Sequence, residues 1–114
     1  MDVMKDLPAD AKVTLIAEFT ALPGQADAVD TLLAGLAEDV RRETGNLVFE
    51  CYRRRDNDAK FIVYEVYEDR AAFAAHIAAD YGAVFNAALR KLIVEPNSVL
   101  TFLAPLHAEV AAVR

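Results

Sequence analysis

Between Val13 and Phe19 the chain alternates, with Val13, Leu15, Ala17 and Phe19 on one side and Thr14, Ile16 and Glu18 on the other. Alternate residues of a strand face opposite ways, so this period of two predicts a strand. Ile16 on the second side predicts at least partial cover of both faces. Pro23-Gly24 ends the strand with a turn dipeptide. From Gln25 to Glu43 the period lengthens. Val29, Leu32, Leu33, Leu36 and Val40 form one stripe, and Asp27, Asp30, Glu38, Asp39 and Arg42 hold the opposite side. That is the pattern of an amphipathic helix. Its acidic start and its Arg41-Arg42 end complement the helix dipole. Gly45 stands where a left-handed C-terminal cap is expected.

Alternation returns from Leu47 to Arg54, with Leu47, Phe49 and Cys51 against Val48, Glu50 and Tyr52. Asp56-Asn57-Asp58 is a turn-prone cluster. A third strand runs from Phe61 to Glu68, placing Phe61, Val63, Glu65 and Tyr67 on one face and Ile62, Tyr64, Val66 and Glu68 on the other. Asp69 is suited to cap the next helix by accepting from its early N–H groups. In that helix Phe73, His76 and Ile77 share a side. Gly82 is expected to bend or restart it, and Phe85, Ala88, Leu89 and Leu92 carry the stripe on to Ile93. Pro96 stops the helix, Val99 to Leu103 makes a fourth strand, and Pro105 closes the compact part. Residues 1–11 read as an N-terminal arm, 12–105 as one domain and 106–114 as a C-terminal tail.

The order β-α-β-β-α-β predicts an α+β, ferredoxin-like fold, an antiparallel four-stranded sheet with both helices on one face. The other face would then carry Ile62, Tyr64 and Val66 bare, which predicts a homodimer joined sheet to sheet. Composition agrees: 55% of the residues are hydrophobic, against roughly 45–50% in ordinary domains. Such an excess suits apolar surface spent on a partner subunit. A length of 114 residues fits a single core. A formal net charge of -6 argues against nucleic acid, whose phosphates require clustered Lys and Arg. The lone Cys51 has no disulfide partner in the chain, and two histidines with one cysteine make no metal-ligand cluster. A reducing cytoplasm is the expected compartment. Neither a signal-like apolar run nor a membrane-length segment is evident, so no membrane role is expected.

The chemistry gathers between Tyr64 and Phe85. His76 is the natural general base, since an imidazole accepts a proton near neutrality; on an apolar stripe it could equally be a packed core residue. Glu65 shares a face with Tyr67, Val63 and Phe61, where burial demands a partner. Arg41 could supply one through an ion pair, or His76 could, in which case Glu65 orients the base or binds a substrate hydroxyl. Tyr67 and Tyr81 could wall an aromatic substrate and offer hydroxyls to an oxyanion, or serve as core-edge residues. Arg53-Arg54-Arg55 is either an anion clamp or a solvated hairpin end blunted by charge. No nucleophile elbow, dinucleotide fingerprint or P-loop is present.

Several spaced signals coincide. Pro23-Gly24 opens the first helix, Arg41-x-Glu43-x-Gly45 leads into the second strand, and Glu50 stands in that strand. Tyr64-Glu65-x-Tyr67-Glu68-Asp69 closes the third strand, and Ala72-Phe73-x-x-His76 follows. Together they resemble the antibiotic biosynthesis monooxygenase domain family, small dimeric α+β barrel proteins related to quinol monooxygenases, from roughly Val13 to Pro105. The resemblance implies oxygenation of a small quinol or polyketide-type aromatic by molecular oxygen, without flavin, haem or metal, in a pocket between sheet and helices. It implies His76 as base, with Glu65, Tyr67, Tyr81 and Phe73 shaping the pocket and Arg41 in a structural or orienting role. The chain departs from the family pattern at Tyr67, where tryptophan is frequent, and at Tyr81, where a second histidine is common. Haem-degrading relatives use an indole-lined pocket and a late axial histidine; this chain has no tryptophan and carries Asn86 there. An isomerase and a non-catalytic dimeric binding module remain the alternatives on the same scaffold.

Overall fold

The computed structural model describes residues 7–107. Most of the expected N-terminal arm and of the C-terminal tail, residues 1–6 and 108–114, lies outside the described residues. Four strands, β1 (Val13–Thr20), β2 (Asn46–Arg54), β3 (Asn57–Tyr67) and β4 (Val99–Leu103), form one antiparallel sheet in the order β2-β3-β1-β4. Three helices, α1 (Ala26–Arg41), α2 (Arg70–Ala78) and α3 (Asp80–Leu89), complete the chain order. This is the ferredoxin-like α+β fold, with the second helix divided in two. Among the described residues no helix is long and apolar enough to cross a membrane.

The alternation in β1 is read directly by the fold. Val13, Leu15, Ala17 and Phe19 are buried beneath the helices, and their partners Tyr67, Glu65, Val63 and Phe61 on β3 share that face. The helices cover only this side. α1 contributes Val29, Leu33, Ala37 and Val40, and α3 contributes Phe85 and Leu89 to the same cluster as Phe19, Phe61 and Phe49. α2 sends Phe73 into a separate cluster with Val13, Leu15 and Tyr67. The opposite face of the sheet carries Ile16, Ile62 and Tyr64, half-buried, and Val99 and Leu103, exposed, whereas Val66 on the same face is buried and is not bare as expected.

Several expected boundaries move for identifiable reasons. β3 begins at Asn57 rather than Phe61, so the hairpin turns at Arg55-Asp56. A bulge between Asn46 and Val48 leaves Leu47 unpaired and exposed, so Leu47 does not join the core with Phe49. The second helix breaks at Ala79, whose ψ of 135 is extended, three residues before Gly82. No proline or glycine explains that position, but packing does. Phe73 and Phe85, twelve residues apart, would lie about 120° apart on one continuous helix at 100° per residue. The break lets both face the sheet. α3 then ends at Leu89, and Ile93 instead bridges Ala21, while the Glu95 carboxylate accepts from Thr20 N at 2.7 Å and from its hydroxyl at 2.8 Å.

Gly45 is not a left-handed cap. Only Gly24, with φ 80, has a positive φ among the described residues. Gly45 serves a close approach: its carbonyl accepts from Glu68 N at 2.9 Å, and a Cβ there would overlap the Cβ of Ala72 on α2. The loop after α1 is thereby pressed against the start of α2. Forcing a methyl into such a contact costs roughly 1–3 kcal/mol. Gly45→Ala should therefore lower the unfolding free energy measured in urea by roughly 1–3 kcal/mol, with a lower midpoint, and adding Ala72→Gly should recover part of it. An unchanged midpoint in Gly45→Ala would contradict the close contact.

Candidate functional site

The two core clusters do not meet completely, and the site lies at their seam. Along β3, Val63 belongs to the larger cluster and Tyr67 to the smaller one. Glu65 stands between them, on the same face and only 6% exposed. On the helix side the seam is the break itself, with His76 in the last turn of α2 and Tyr81 in the first turn of α3. Asp69 fixes the start of α2 as expected, accepting from Ala72 N at 2.8 Å. A cavity of about 110 Å³ fills the seam, with Phe19, Phe49 and Phe85 on one side, Leu15 and Phe73 on the other, and Glu65 and His76 as its titratable groups. Ile77, Asn86 and Leu100, all exposed, form part of its rim.

A chain of polar contacts crosses this seam. Tyr67, fully buried, donates its hydroxyl to Glu65 Oε1 at 2.7 Å. Glu65 Oε1 lies 3.8 Å from His76 Nε2. The other ring nitrogen, Nδ1, is 3.0 and 3.2 Å from the two carboxylate oxygens of Glu43. Tyr81 donates its hydroxyl to the same Glu43 carboxylate. A carboxylate accepts hydrogen bonds, so Nδ1 carries the ring proton in neutral His76 and Nε2 presents its lone pair toward Glu65 and the cavity. The ring is held in place by aromatic neighbours, with Tyr67 at 4.8 Å and Phe73 at 6.1 Å between centroids.

Burial pushes the Glu65 carboxyl above its ordinary range, further raised by the charge of Glu43 and opposed by the Tyr67 hydroxyl and by His76. Burial also raises the Tyr67 phenol strongly, with the neighbouring Glu65 charge adding to it. The Tyr81 phenol is raised by burial and by its bond to Glu43. Both tyrosines are thus donors throughout the neutral range. Chemically, the seam offers a ring nitrogen and a carboxyl whose protonated form burial favours, side by side at the edge of an apolar cavity.

Glu65, Phe73 and His76 line the cavity. Tyr67 and Tyr81 do not line it. Each spends its hydroxyl on a carboxyl group, Tyr67 on Glu65 in the wall and Tyr81 on Glu43 behind it. The ion pair of Arg41 with Glu65 does not form. Arg41 instead donates from Nε at 3.2 Å and from Nη2 at 2.8 Å to the carbonyl of Phe49, tying α1 to the edge strand β2. The three arginines are no clamp either. Arg53 lies over the Phe61 ring at 4.9 Å and pairs with Asp30 at 3.3 Å, while Arg54 pairs with Asp56. Periodicity did not mark Glu43, because it sits in the loop after α1; only the close approach of Gly45 to Ala72 brings it to His76. Among the described residues no group of His, Cys, Asp and Glu is arranged to hold a metal ion.

The sequence profile of the family described as antibiotic biosynthesis monooxygenase matches residues 12–88. The chain belongs to the antibiotic biosynthesis monooxygenase family. No curated protein matches it. Among solved structures, this family member is similar to Rv0793 from Mycobacterium tuberculosis, at 27% identity and TM-score 0.78, over 85% of this chain and 97% of that one. It is equally similar to PA3566 from Pseudomonas aeruginosa, at 27% identity and TM-score 0.78, over 89% of this chain and 100% of that one. SnoaB from Streptomyces nogalater, a cofactor-independent oxygenase, aligns at 25% identity and TM-score 0.75, over 88% of this chain and 97% of SnoaB.

The raised Glu65 pKa has a signed consequence for this family member. The folded protein holds a proton that the unfolded chain releases, so the contribution to stability is present below the ordinary value of 4.5 and is lost as pH rises through the raised value. Glu65→Gln keeps an acceptor for Tyr67 and has no such loss. Thermal melts of the two proteins should therefore agree below pH 4.5 and diverge above it, with the variant the more stable at neutral pH. A wild-type protein that gains on the variant as pH rises would contradict the assignment.

Proposed function

We propose that this protein is a cofactor-independent monooxygenase for a small hydroxylated aromatic of the quinol class, with His76 as its general base. The observation that carries the reading is the His76 ring itself, anchored through Nδ1 to Glu43 and turned by Nε2 to an apolar cavity beside Glu65. Family membership and the likeness to SnoaB support the reaction class.

The chemistry asks little of the protein beyond that arrangement. A quinol hydroxyl meeting Nε2 loses its proton there, and the electron-rich quinolate left behind can give electrons to oxygen directly. Addition of O₂ to the ring and loss of water turn a quinol into a hydroxyquinone. One oxygen atom enters the product and the other leaves as water. Glu65, holding its proton in the same wall, can donate to the oxygen that becomes negative. Apolar side chains from both clusters exclude water from the anion. The cavity's 110 Å³ is less than the roughly 150 Å³ in which a sealed site takes benzene. We propose that one ring enters past the exposed rim residues Ile77 and Leu100 with its far edge left at the rim, and that Phe73 is part of the wall that flattens it.

A proton-transfer isomerase is the second reading, favoured by the same pair of base and carboxyl 3.8 Å apart. Oxygen uptake separates the two. With a panel of one-ring quinols, wild type should consume oxygen, and His76→Ala should slow it by about 100-fold or more, the scale of a lost general base. Substrate conversion without oxygen consumption would favour the isomerase, and binding without conversion would leave only a binding module.

We also propose a homodimer through the bare sheet face, in a cytoplasmic compartment that suits the free, exposed Cys51. That face bears Ile16, Ile62 and Tyr64, half-buried, across its two central strands, a surface that water alone would cover at a cost. Sedimentation equilibrium at micromolar concentration should return twice the chain mass, and Ile62→Glu should return the monomer. A monomeric wild type would contradict the dimer.

A further inference from the structure

Apart from its rim at Ile77, Asn86 and Leu100, the cavity approaches the outside of the molecule at His76. On the far side of His76 from the cavity lies an open groove lined by Glu43, Thr44, Gly45, Asp69 and Tyr81, and it shares no lining residue with the cavity. His76 stands between them, with Nε2 toward Glu65 on the cavity side and Nδ1 on Glu43 on the groove side. The two carboxyl groups differ in their access to water: the Glu65 side chain is 7% exposed and the Glu43 side chain 17%.

We propose that Glu43 is the proton exit of the site, receiving through His76 the proton that a substrate loses inside the cavity and passing it to water in the groove. The inference rests on the reading of His76 as the base. It adds a second group to that reading and gives the loop after α1 a role. The substrate O–H bond breaks, its electron pair stays on oxygen and its proton goes to Nε2. The Nδ1–H bond then breaks toward a Glu43 oxygen, leaving a neutral ring, and Glu43 releases the proton to solvent. Run backwards, the same path returns a proton to Glu65 after it has given its own to the water that departs when oxygen is the co-reactant, so no net proton is gained or lost.

The rest of the site leaves this route to Glu43. An imidazolium facing Phe19, Phe49 and Phe85 has no solvation in the cavity, and a carboxylate at 3.0 Å supplies the opposite charge from outside it. Glu65 is already occupied by the Tyr67 hydroxyl and is disposed by burial to keep its own proton. Tyr81 holds the Glu43 carboxylate from the groove side and, with its phenol raised, does so as a donor. Glu43 acts through His76 and is a positioning and relay residue, with no contact to the cavity.

Two substitutions separate positioning from relay. In Glu43→Gln the amide oxygen still accepts from Nδ1 and from Tyr81, but it takes up no proton. Glu43→Ala removes both functions. Nitrogen-15 spectra of the wild type should place the ring proton of neutral His76 on Nδ1. Glu43→Gln should keep that tautomer, and Glu43→Ala should move it toward Nε2. With a quinol that the wild type turns over, Glu43→Gln should lower kcat by about 100-fold with KM unchanged, and millimolar formate should restore turnover to Glu43→Ala through the open groove. Wild-type kcat in Glu43→Gln, or a wild-type ring protonated on Nε2, would overturn the proposal. Should no quinol be oxidised at all, the monooxygenase reading fails, and the tautomer spectra still decide whether Glu43 governs His76.

Discussion

A carboxyl group buried in the middle of a sheet must be hydrogen-bonded or hold its proton, and the rest of this site follows from Glu65 meeting that demand. Its neighbours on β3, Val63 and Tyr67, belong to different core clusters, so Glu65 prevents the two from fusing. Tyr67 is the nearer answer, donating its buried hydroxyl to Oε1. His76 is the farther one, brought over the strand by α2. The histidine then needs an acceptor for its own N–H, which Glu43 provides, and Glu43 in turn is held by Tyr81. Three elements and a loop, β3, α2, α3 and the segment after α1, are thus tied together by one buried carboxyl group.

The same demand explains why the second helix is two helices. A single straight helix could present Phe73 or Phe85 to the sheet, not both, because their spacing carries them around the axis. The break at Ala79 aims α2 at the smaller cluster and α3 at the larger one. What remains between them is the cavity. The cavity is therefore a product of how the core divides, and its polar wall is the residue that divides it.

Much of this is legible in the sequence where periodicity speaks. The alternation of β1 and β3 assigned Glu65 and Tyr67 to the covered face, and the stripe of Phe73 and His76 put the ring over it. Val99 to Leu103 is the strand that its sequence predicts. Periodicity is silent about loops and about which of two partners a buried group selects. Glu43 ends the expected helical stretch but lies two residues past α1, and beside it Gly45 fits against Ala72, a contact between residues 27 positions apart. Arg41 was an equally good charge partner for Glu65 on paper, but the helix carries it to the Phe49 carbonyl on the sheet edge instead. The break at Ala79 has no local signal, since alanine favours helix and only tertiary packing opposes it.

The central claim is that a substrate hydroxyl is received by His76 Nε2 within the seam between the two clusters. A crystal structure of the protein with an unreactive one-ring phenol tests it most directly. The account predicts the ring among Phe19, Phe49 and Phe85, with its hydroxyl oxygen within about 3.2 Å of Nε2. A phenol bound on the bare sheet face or in the Glu43 groove, with the cavity empty, would contradict it.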